Sequence, residues 1–259
     1  VMEAAAKNLT PCVLELGGKS PCIVDKEANI KMAARRIMWG KTINAGQTCI
    51  APDYLFVHES VKAELFAEMK QAIRDFFGEN PETSPFFPRI VNDKAMERLL
   101  PLLQQGDIVF GGENNRTERY IAPTVIDNVQ PDFAIMQEEI FGPILPVLTF
   151  NDINTVIKYV NTHEKPLAFY YFGDHKKAKA VLAQTTSGGA CVNDVLMHIA
   201  NPKLPFGGVG NSGMGQYHHH ESFIAFSNRR AVVQSFNWFD LKAKYVSFKG
   251  LKPLKRFLK

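Results

Sequence analysis

Long apolar runs are missing from this sequence of 259 residues, since no stretch approaches the roughly 18 apolar residues that a membrane-spanning helix needs. The N-terminus also lacks the apolar run and the small-residue cleavage site of a signal peptide. Hydrophobic residues make up 46% of the chain and charged residues 22%, values that exclude a largely disordered or collagen-like protein. The composition therefore predicts a soluble globular protein.

Cysteine is also scarce, with four residues that form neither a C-x-x-C motif nor any spacing typical of a zinc site. We therefore predict no metal site and no disulfide, and a reducing, cytoplasmic setting. Cys12, Cys22 and Cys191 lie in strand-like runs and are predicted to be small buried hydrophobes. Cys49 differs from them because it lies on a junction between a predicted helix and a predicted strand.

Acidic residues are absent from residues 241–259, which contain seven Lys and Arg. The overall charge of +4 therefore conceals a body with 23 basic and 26 acidic residues, and this distribution predicts no nucleic-acid partner. For the basic tail, residues 236–259, the favoured interpretation is packing of its aromatic residues on the body or on a dimer partner. The sharper alternative is weak peripheral contact with an anionic membrane surface.

Short apolar runs alternate with helical patterns along the chain, which predicts an α/β protein with a parallel or mixed sheet flanked by helices. The pattern places helices after Asn29, a typical N-cap, and after Asn151 and Asp174. The predicted strands cover residues 12–16, 21–24, 54–57, 107–110, 121–126, 145–149, 167–172, 189–192 and 230–234.

Two residues have the chemistry of a catalytic pair. Free backbone N–H groups at a junction such as that of Cys49 lower a thiol pKa and favour a nucleophilic thiolate, although a lone Cys is more often a buried hydrophobe. Glu15 stands between two leucines and before Gly17 and Gly18. If buried, its pKa would be raised and it could act as a general base; the alternative is a strand-end Glu that faces water.

Two further motifs lie in the second half of the chain. Glu139, two residues before Phe141, could hydrogen-bond a ribose beside the aromatic ring, or could belong to an ordinary turn. Residues 208–213 match G-x-G-x-x-G, but neither a strand before it, a helix after it nor an acid about 20 residues on supports a dinucleotide fingerprint. The three His at 218–220 are predicted to form a solvated loop and not a metal site.

Four motifs in order, LELGGKSP at 14–21, GQTC at 46–49, EEIFGP at 138–143 and PFGGVGNSGMG at 205–215, resemble the NAD(P)-dependent aldehyde dehydrogenase superfamily. WGKTINAGQTCIAPDY around the cysteine and SFIAFSNRRAVV near residues 222–233 resemble its class 3 branch. The resemblance runs from Val1 to about residue 234 and implies the catalytic-domain fold of that superfamily.

The resemblance implies that Cys49 attacks the aldehyde carbonyl and becomes a thioester after hydride transfer to NAD or NADP. Glu15 would activate the water that hydrolyses the thioester, and the backbone N–H of Cys49 would stabilise the oxyanion. Glu139 would bind the nicotinamide ribose, with Phe141 packed beside it. The expected product is a carboxylic acid.

The resemblance also implies a substrate site. It places Asn193 and Phe206 near the aldehyde. By analogy, four apolar residues could line a funnel for an apolar aldehyde, or could equally be core packing: Trp39, Ile43, Leu196 and Ile199.

Compared with the family pattern, the chain resembles roughly the C-terminal half of such an enzyme. We expect residues 1–14 to end a cofactor-binding domain, 15–217 to form the catalytic domain, and 218–235 to form a return and oligomerisation strand of a homodimer. Most of the cofactor site would then lie in a preceding domain. The competing hypotheses are a cofactor-independent thiol esterase and a non-catalytic fragment.

Overall fold

The computed structural model describes residues 1–240 of the chain. The α-helices are α1 Met2–Ala6, α2 Ile30–Thr42, α3 Lys62–Phe77, α4 Asp93–Leu99, α5 Ile153–Thr162, α6 His175–Leu182, α7 Met197–Ala200 and α8 His219–Ala225. The strands are β1 Leu14–Glu15, β2 Pro21–Val24, β3 Tyr54–His58, β4 Asp107–Phe110, β5 Asn114–Asn115, β6 Tyr120–Ile121, β7 Thr124–Asp127, β8 Ile144–Phe150, β9 Ala168–Phe172, β10 Gly189–Val192 and β11 Gly213–Met214.

Seven strands form the central sheet in the order β10-β9-β2-β3-β8-β7-β4. Every neighbouring pair is parallel except β7 and β4, so the sheet is mixed with one antiparallel edge strand. All residues of β2 and β9 are buried, as expected for parallel strands covered on both faces. The predicted fold class is confirmed.

Successive side chains of β9 enter two different cores, because side chains alternate between the faces of a strand. Tyr170 packs in the core beneath α2 and α3. Its neighbour Tyr171 packs in the opposite core, which also contains residues of α4, α5 and α6. Both tyrosines are fully buried, and this alternation separates the residues near Cys49 from those on the far side of the sheet.

Helix α2 leads the chain to Cys49 and forms for reasons visible in its sequence. The side chain of Asn29 caps it by accepting a hydrogen bond from the Met32 N–H, and its apolar residues recur at helical spacing. Ile30, Ile37 and the residues between them on the same face are buried. This burial fixes the end of α2, and hence the start of the turn that follows, against the sheet.

Two predicted strands differ from the observed strands by more than one residue at an end or by an interruption. The strand predicted over residues 12–16 is limited to β1, and Cys12 lies before it. The strand predicted over residues 121–126 is divided between β6 and β7, with Pro123 between them. Proline has no N–H group for a strand ladder, which is consistent with the break at this position.

The chain divides into two compact units, residues 1–226 and residues 227–259. The strand predicted over residues 230–234 is wrong, because those residues have no regular secondary structure and pair with no strand within residues 1–240. A short apolar run forms a strand only where a neighbouring strand completes the ladder. The predicted return region, residues 218–235, also contains α8; its role in oligomerisation stays a prediction.

The basic part of the predicted tail, residues 241–259, lies outside the described residues. Its residues 236–240 are exposed, and the rings of Phe236 and Trp238 lie 5.4 Å apart between their centroids. In residues 1–240, no helix combines the length and the apolar character that crossing a bilayer requires.

Candidate active site

Cys49 lies in a tight turn after α2. Asn44, Ala45 and Gly46 are all left-handed, with φ of 51°, 52° and 71°, which is a strained conformation for the two residues that carry a Cβ. The next turn is closed by a 2.9 Å hydrogen bond from the Ala51 N–H to the Thr48 carbonyl, so that Cys49 and Ile50 form its centre. We call residues 48–51 the nucleophile turn; in it, Cys49 is half-buried.

The side chain of Gln47 holds the approach to the nucleophile turn. Its Nε2 donates to the carbonyls of Asn44 at 3.0 Å and Arg89 at 3.1 Å, and its Oε1 accepts from the Val91 N–H at 2.9 Å. One amide therefore links Asn44, in the strained backbone, to the separate segment that contains Arg89 and Val91. Gln47 was not among the predicted site residues, although it lies within the GQTC motif.

Glu15 is positioned by the Gly-rich loop that follows Phe206. Strands β1 and β11 are antiparallel and place Glu15 opposite Gly213, and the Leu16 N–H donates to the Ser212 carbonyl at 3.1 Å. A Cβ on Gly213 would lie 2.3 Å from the Leu14 carbonyl oxygen, so the close pairing requires glycine there. The loop that fails as a dinucleotide fingerprint therefore supports the candidate base.

The structure brings Glu15 and Cys49 together, across 34 positions of sequence. Burial raises the pKa of the Cys49 thiol to about 12, and the negative charge of nearby Glu15 adds to this rise. The Cys49 backbone N–H lowers the pKa, but its effect is the smallest. The predicted lowering of the thiol pKa is therefore wrong, because burial and the carboxylate outweigh the backbone.

A protonated thiol at neutral pH needs a base to remove its proton when the sulfur attacks. The Oε1 atom of Glu15 is buried and has no hydrogen-bond partner within residues 1–240, so it can accept a proton. The pair is thus a thiol with an adjacent acceptor and not a preformed thiolate.

Glu139 lies on the neighbouring motif and is half-buried. Its Oε2 accepts a 3.2 Å hydrogen bond from the Gly18 N–H, and burial, followed by the charge of Asp53, raises its pKa to about 7. It lines a cleft of about 220 Å³ together with Gly17, Gly18 and Lys19. Phe141, two residues on, has a left-handed φ of 48° and is 40% exposed.

A buried ion pair fastens the three motifs together. Lys19 forms a salt bridge with Asp53 and also donates to the carbonyls of Ile135 at 2.9 Å and Glu138 at 2.8 Å. The other carboxylate oxygen of Asp53 accepts from the Ile140 N–H at 2.8 Å. Residues 14–21, the chain after Cys49 and residues 138–143 are therefore parts of one site.

Lys41 lies fully buried at the end of α2 beside this ion pair. Burial lowers its pKa to about 8, while the charges of Asp53 and Glu139 oppose that change. The sequence does show a lysine within a mostly apolar helix. Even so, neither Lys41 nor Asp53 was among the predicted site residues.

The predicted funnel residues differ in exposure. Trp39 and Ile43 are 39% and 40% exposed, so their side chains are free to contact a ligand. Leu196 is 6% exposed and belongs to the core beneath α2, which favours the core-packing alternative for this residue. Phe206, which was expected near the aldehyde, is 3% exposed in the same core, and its place near the substrate stays a prediction. Ile199 is partly buried and packs against the same core.

Asn193 is held by the backbone. Its Oδ1 accepts from the Gly173 N–H at 2.8 Å, and its Nδ2 donates to the Gly173 carbonyl at 3.0 Å. These bonds give Asn193 a structural role at the end of β10. Its place near the substrate stays a prediction.

A second thiol has a partner that was not predicted. Cys191 is half-buried, with its Sγ 3.2 Å from the Nδ1 atom of His198. Burial lowers the pKa of His198 to about 4 and raises the pKa of Cys191. The Nε2 atom of His198 is buried without a hydrogen-bond partner among the described residues. Cys22 is fully buried in β2, as predicted.

The histidines at 218–220 lie at the start of α8, with His218 preceding its first residue. In the part of the chain that the structure describes, no group of three or more His, Cys, Asp or Glu is arranged to hold a metal ion.

The sequence profile of the Aldehyde dehydrogenase family matches residues 1–232. The 4,4'-diaponeurosporen-aldehyde dehydrogenase of Staphylococcus aureus is 49% identical, over all of this chain and 57% of that protein. The dimeric NADP-preferring aldehyde dehydrogenase of Mus musculus is also 49% identical, over 90% of this chain and 52% of that protein.

A solved structure of the substrate-bound state of Staphylococcus aureus AldH superposes with a TM-score of 0.94 at 47% identity, covering all of this chain and 57% of that one. The structure of an NAD-dependent aldehyde dehydrogenase from Sinorhizobium meliloti superposes with a TM-score of 0.80 at 30% identity, covering 92% of this chain and 50% of that one. The chain therefore spans about half the length of the relatives it matches.

Proposed function

Since this chain belongs to the aldehyde dehydrogenase family, we propose that it supplies the catalytic half of an enzyme that oxidises an aldehyde to a carboxylic acid. The observation that carries the proposal is that Glu15 lies near enough to the half-buried Cys49 thiol to raise its pKa, and has a buried carboxylate oxygen without a partner within residues 1–240. The activity is proposed for the longer enzyme, because the chain spans 57% and 52% of two close relatives.

In the proposed reaction, the Cys49 sulfur attacks the aldehyde carbonyl carbon while Glu15 takes the thiol proton. The resulting oxyanion lies beside the Cys49 backbone N–H, which can donate to it. After oxidation, the substrate is held as a thioester on Cys49. Glu15 releases the thiol proton to solvent and then removes a proton from water, which attacks the thioester carbonyl; the proton on Glu15 returns to the leaving sulfur, so that the acid and the thiol are released.

The residues around Glu139 fit a nicotinamide ribose. The carboxylate lines an open cleft, and one of its oxygens is fixed by Gly18, where the backbone approaches closely: a Cβ on Gly17 would lie 2.8 Å from Oε2. The exposed ring of Phe141 can pack beside the ribose. When bound, NAD or NADP would supply the electron acceptor; a relative named NADP-preferring supports the phosphorylated form.

The proposed substrate is an apolar aldehyde. The exposed side chains of Trp39 and Ile43 support this class, since both are presented by the helix end that leads to Cys49. A homodimer is proposed because one close relative is named dimeric, and the cytoplasmic location stays a prediction.

Aldehyde addition can be tested on this chain without any cofactor. Octanal should form a reversible thiohemiacetal with Cys49 and slow its alkylation by iodoacetamide at pH 8 several-fold, as measured by peptide mass spectrometry. Octan-1-ol is the matched control, because it fills the same apolar surface without a carbonyl. Cys191 provides the internal reference, and its labelling should not change.

Equal protection by the alcohol would indicate occupancy of an apolar surface and would contradict aldehyde addition. Unchanged labelling of Cys49 at saturating octanal would reject Cys49 as the nucleophile. A Cys191→Ser variant should keep the full protection at Cys49.

A further inference from the structure

The hydroxyl group of Tyr170 reaches the nucleophile turn from the sheet. Tyr170 is fully buried in β9, and its hydroxyl donates a 2.5 Å hydrogen bond to the carbonyl oxygen of Ile50. Ile50 follows Cys49 directly and shares the centre of the turn with it. The Ile50 carbonyl is not used by the turn's own closing bond, which joins Ala51 to Thr48.

The same hydroxyl meets a second segment. The backbone N–H of Leu196 interacts with the Tyr170 oxygen, and Leu196 has a left-handed φ of 61° at the start of α7. Leu196 in turn packs against α2, since a Cβ on Gly40 would lie 2.9 Å from its Cδ1 atom. One buried hydroxyl therefore joins the nucleophile turn to the segment that begins α7.

The Tyr170 hydroxyl remains a donor over the working range of pH. Burial raises the pKa of Tyr170 well above its ordinary value, and the Leu196 N–H only partly offsets this rise. A buried hydroxyl with one short bond and a fixed ring cannot turn to another partner without leaving the Ile50 carbonyl unpaired, which is costly in an apolar core.

We propose that Tyr170 is a positioning residue for Cys49: its hydroxyl fixes the Ile50 carbonyl, and through it the place of the sulfur beside Glu15. The inference rests on the proposed function only for the role of Cys49. The position itself is a property of the thiol and can be measured without substrate or cofactor.

The test compares Tyr170→Phe with Tyr171→Phe in this chain. Tyr171 is the adjacent buried tyrosine, and its hydroxyl donates to Asp25 at 2.7 Å in the opposite core. Each variant loses a buried hydroxyl that donates a hydrogen bond, to a backbone carbonyl at position 170 and to a carboxylate at position 171, but only Tyr170 touches the nucleophile turn. The readout is the pH profile of iodoacetamide labelling at Cys49, together with thermal unfolding of both variants.

In Tyr170→Phe, the freed turn should expose the sulfur to water and move it away from Glu15. Burial and the charge of Glu15 both raise the pKa of Cys49, so both effects should become weaker. We expect the labelling midpoint to fall by about one pH unit, and labelling at pH 8 to become about tenfold faster. Tyr171→Phe should lose at least as much stability and keep the labelling profile of the unaltered chain.

Site-specific 4-amino-phenylalanine at position 170 keeps a donor for the Ile50 carbonyl and should restore the original profile. If Tyr170→Phe does not fold, 4-fluoro-phenylalanine at that position replaces it, because fluorine fills the space of the hydroxyl without donating. An unshifted profile, or an equal shift in Tyr171→Phe, would overturn the proposal.

The two proposals fail separately. Absence of protection by octanal would reject aldehyde addition and leave a labelling shift in Tyr170→Phe intact. An unshifted profile would reject positioning by Tyr170 and leave the octanal result intact.

Discussion

Cys49 and Cys191 are two half-buried thiols that each lie near a titratable side chain, and the proposed function assigns chemistry to Cys49 alone. Cys49 sits in a turn beside the carboxylate of Glu15. Cys191 sits in strand β10 beside the imidazole of His198. Burial raises the pKa of both thiols, so burial does not distinguish them.

The difference lies in the partner and in the backbone. Burial lowers the pKa of His198 to about 4, so that Cys191 lies beside a neutral ring at neutral pH. A buried atom without a hydrogen-bond partner does not distinguish the two pairs, because Oε1 of Glu15 and Nε2 of His198 both lack one within residues 1–240. The pairs therefore differ in charge and in backbone: Cys49 lies in a turn near a carboxylate, whereas Cys191 lies within strand β10 beside a neutral ring.

The largest expected effect comes from removing the charge of Glu15. In Glu15→Gln, hydrolysis of the thioester formed from p-nitrophenyl acetate should fall by about 100-fold or more, because the general base is lost. The same change should make alkylation of Cys49 faster at pH 8, since a negative charge that raises its pKa is gone. Steady-state nitrophenolate release and iodoacetamide labelling measure the two effects.

Glu138→Gln is the matched control, because Glu138 lies in the neighbouring motif with an exposed side chain. It should change neither rate. A steady-state rate in Glu15→Gln equal to that of the unaltered chain would remove Glu15 from the proposed mechanism.

The sequence predicted most of the sheet because the apolar runs of β2, β9 and β10 indicate buried strands without knowledge of their neighbours. The strand predicted over residues 230–234 was wrong, because a strand also needs a neighbouring strand with which to pair. The motifs that carry Cys49, Glu15 and Glu139 could be selected from their order along the chain. The contacts among these motifs could not be predicted from the spacing, because they depend on parallel strands that bring distant motifs to one place.

The pKa of Cys49 could not be predicted, because its direction depends on how far the turn is buried and how near Glu15 lies. Tyr170 and His198 were not selected for a related reason. An isolated Tyr in an apolar strand is typical of core packing, and only its register decides which loop its hydroxyl meets.

The second thiol pair should make the protein sensitive to acid. The folded pKa of His198 is about 4 against an ordinary 6.5, so its contribution to stability is present above pH 6.5 and is lost as the pH falls through 4. Between pH 7.5 and 4.5 the free energy of unfolding should drop by about 2 to 3 kcal/mol more in the unaltered chain than in His198→Gln.

Urea unfolding at the two pH values measures this difference. His163→Gln, at an exposed histidine, should keep the full acid sensitivity. Equal acid sensitivity in His198→Gln and the unaltered chain would show that the buried ring is not the group that titrates.

The smallest expected effect comes from two glycine substitutions, one near each thiol. A Cβ on Gly46 would lie 2.2 Å from the carbonyl oxygen of Gly142, and Gly46 has a φ of 71°. A Cβ on Gly189 would lie 2.6 Å from the Cδ2 atom of His198. Backbone yields less than a ring, so we expect Gly46→Ala to destabilise by about 2 kcal/mol and Gly189→Ala by about 1 kcal/mol. Cys49 labelling should change only in Gly46→Ala, because its turn alone is displaced; a change in both variants would mean that the two thiols share one mobile unit.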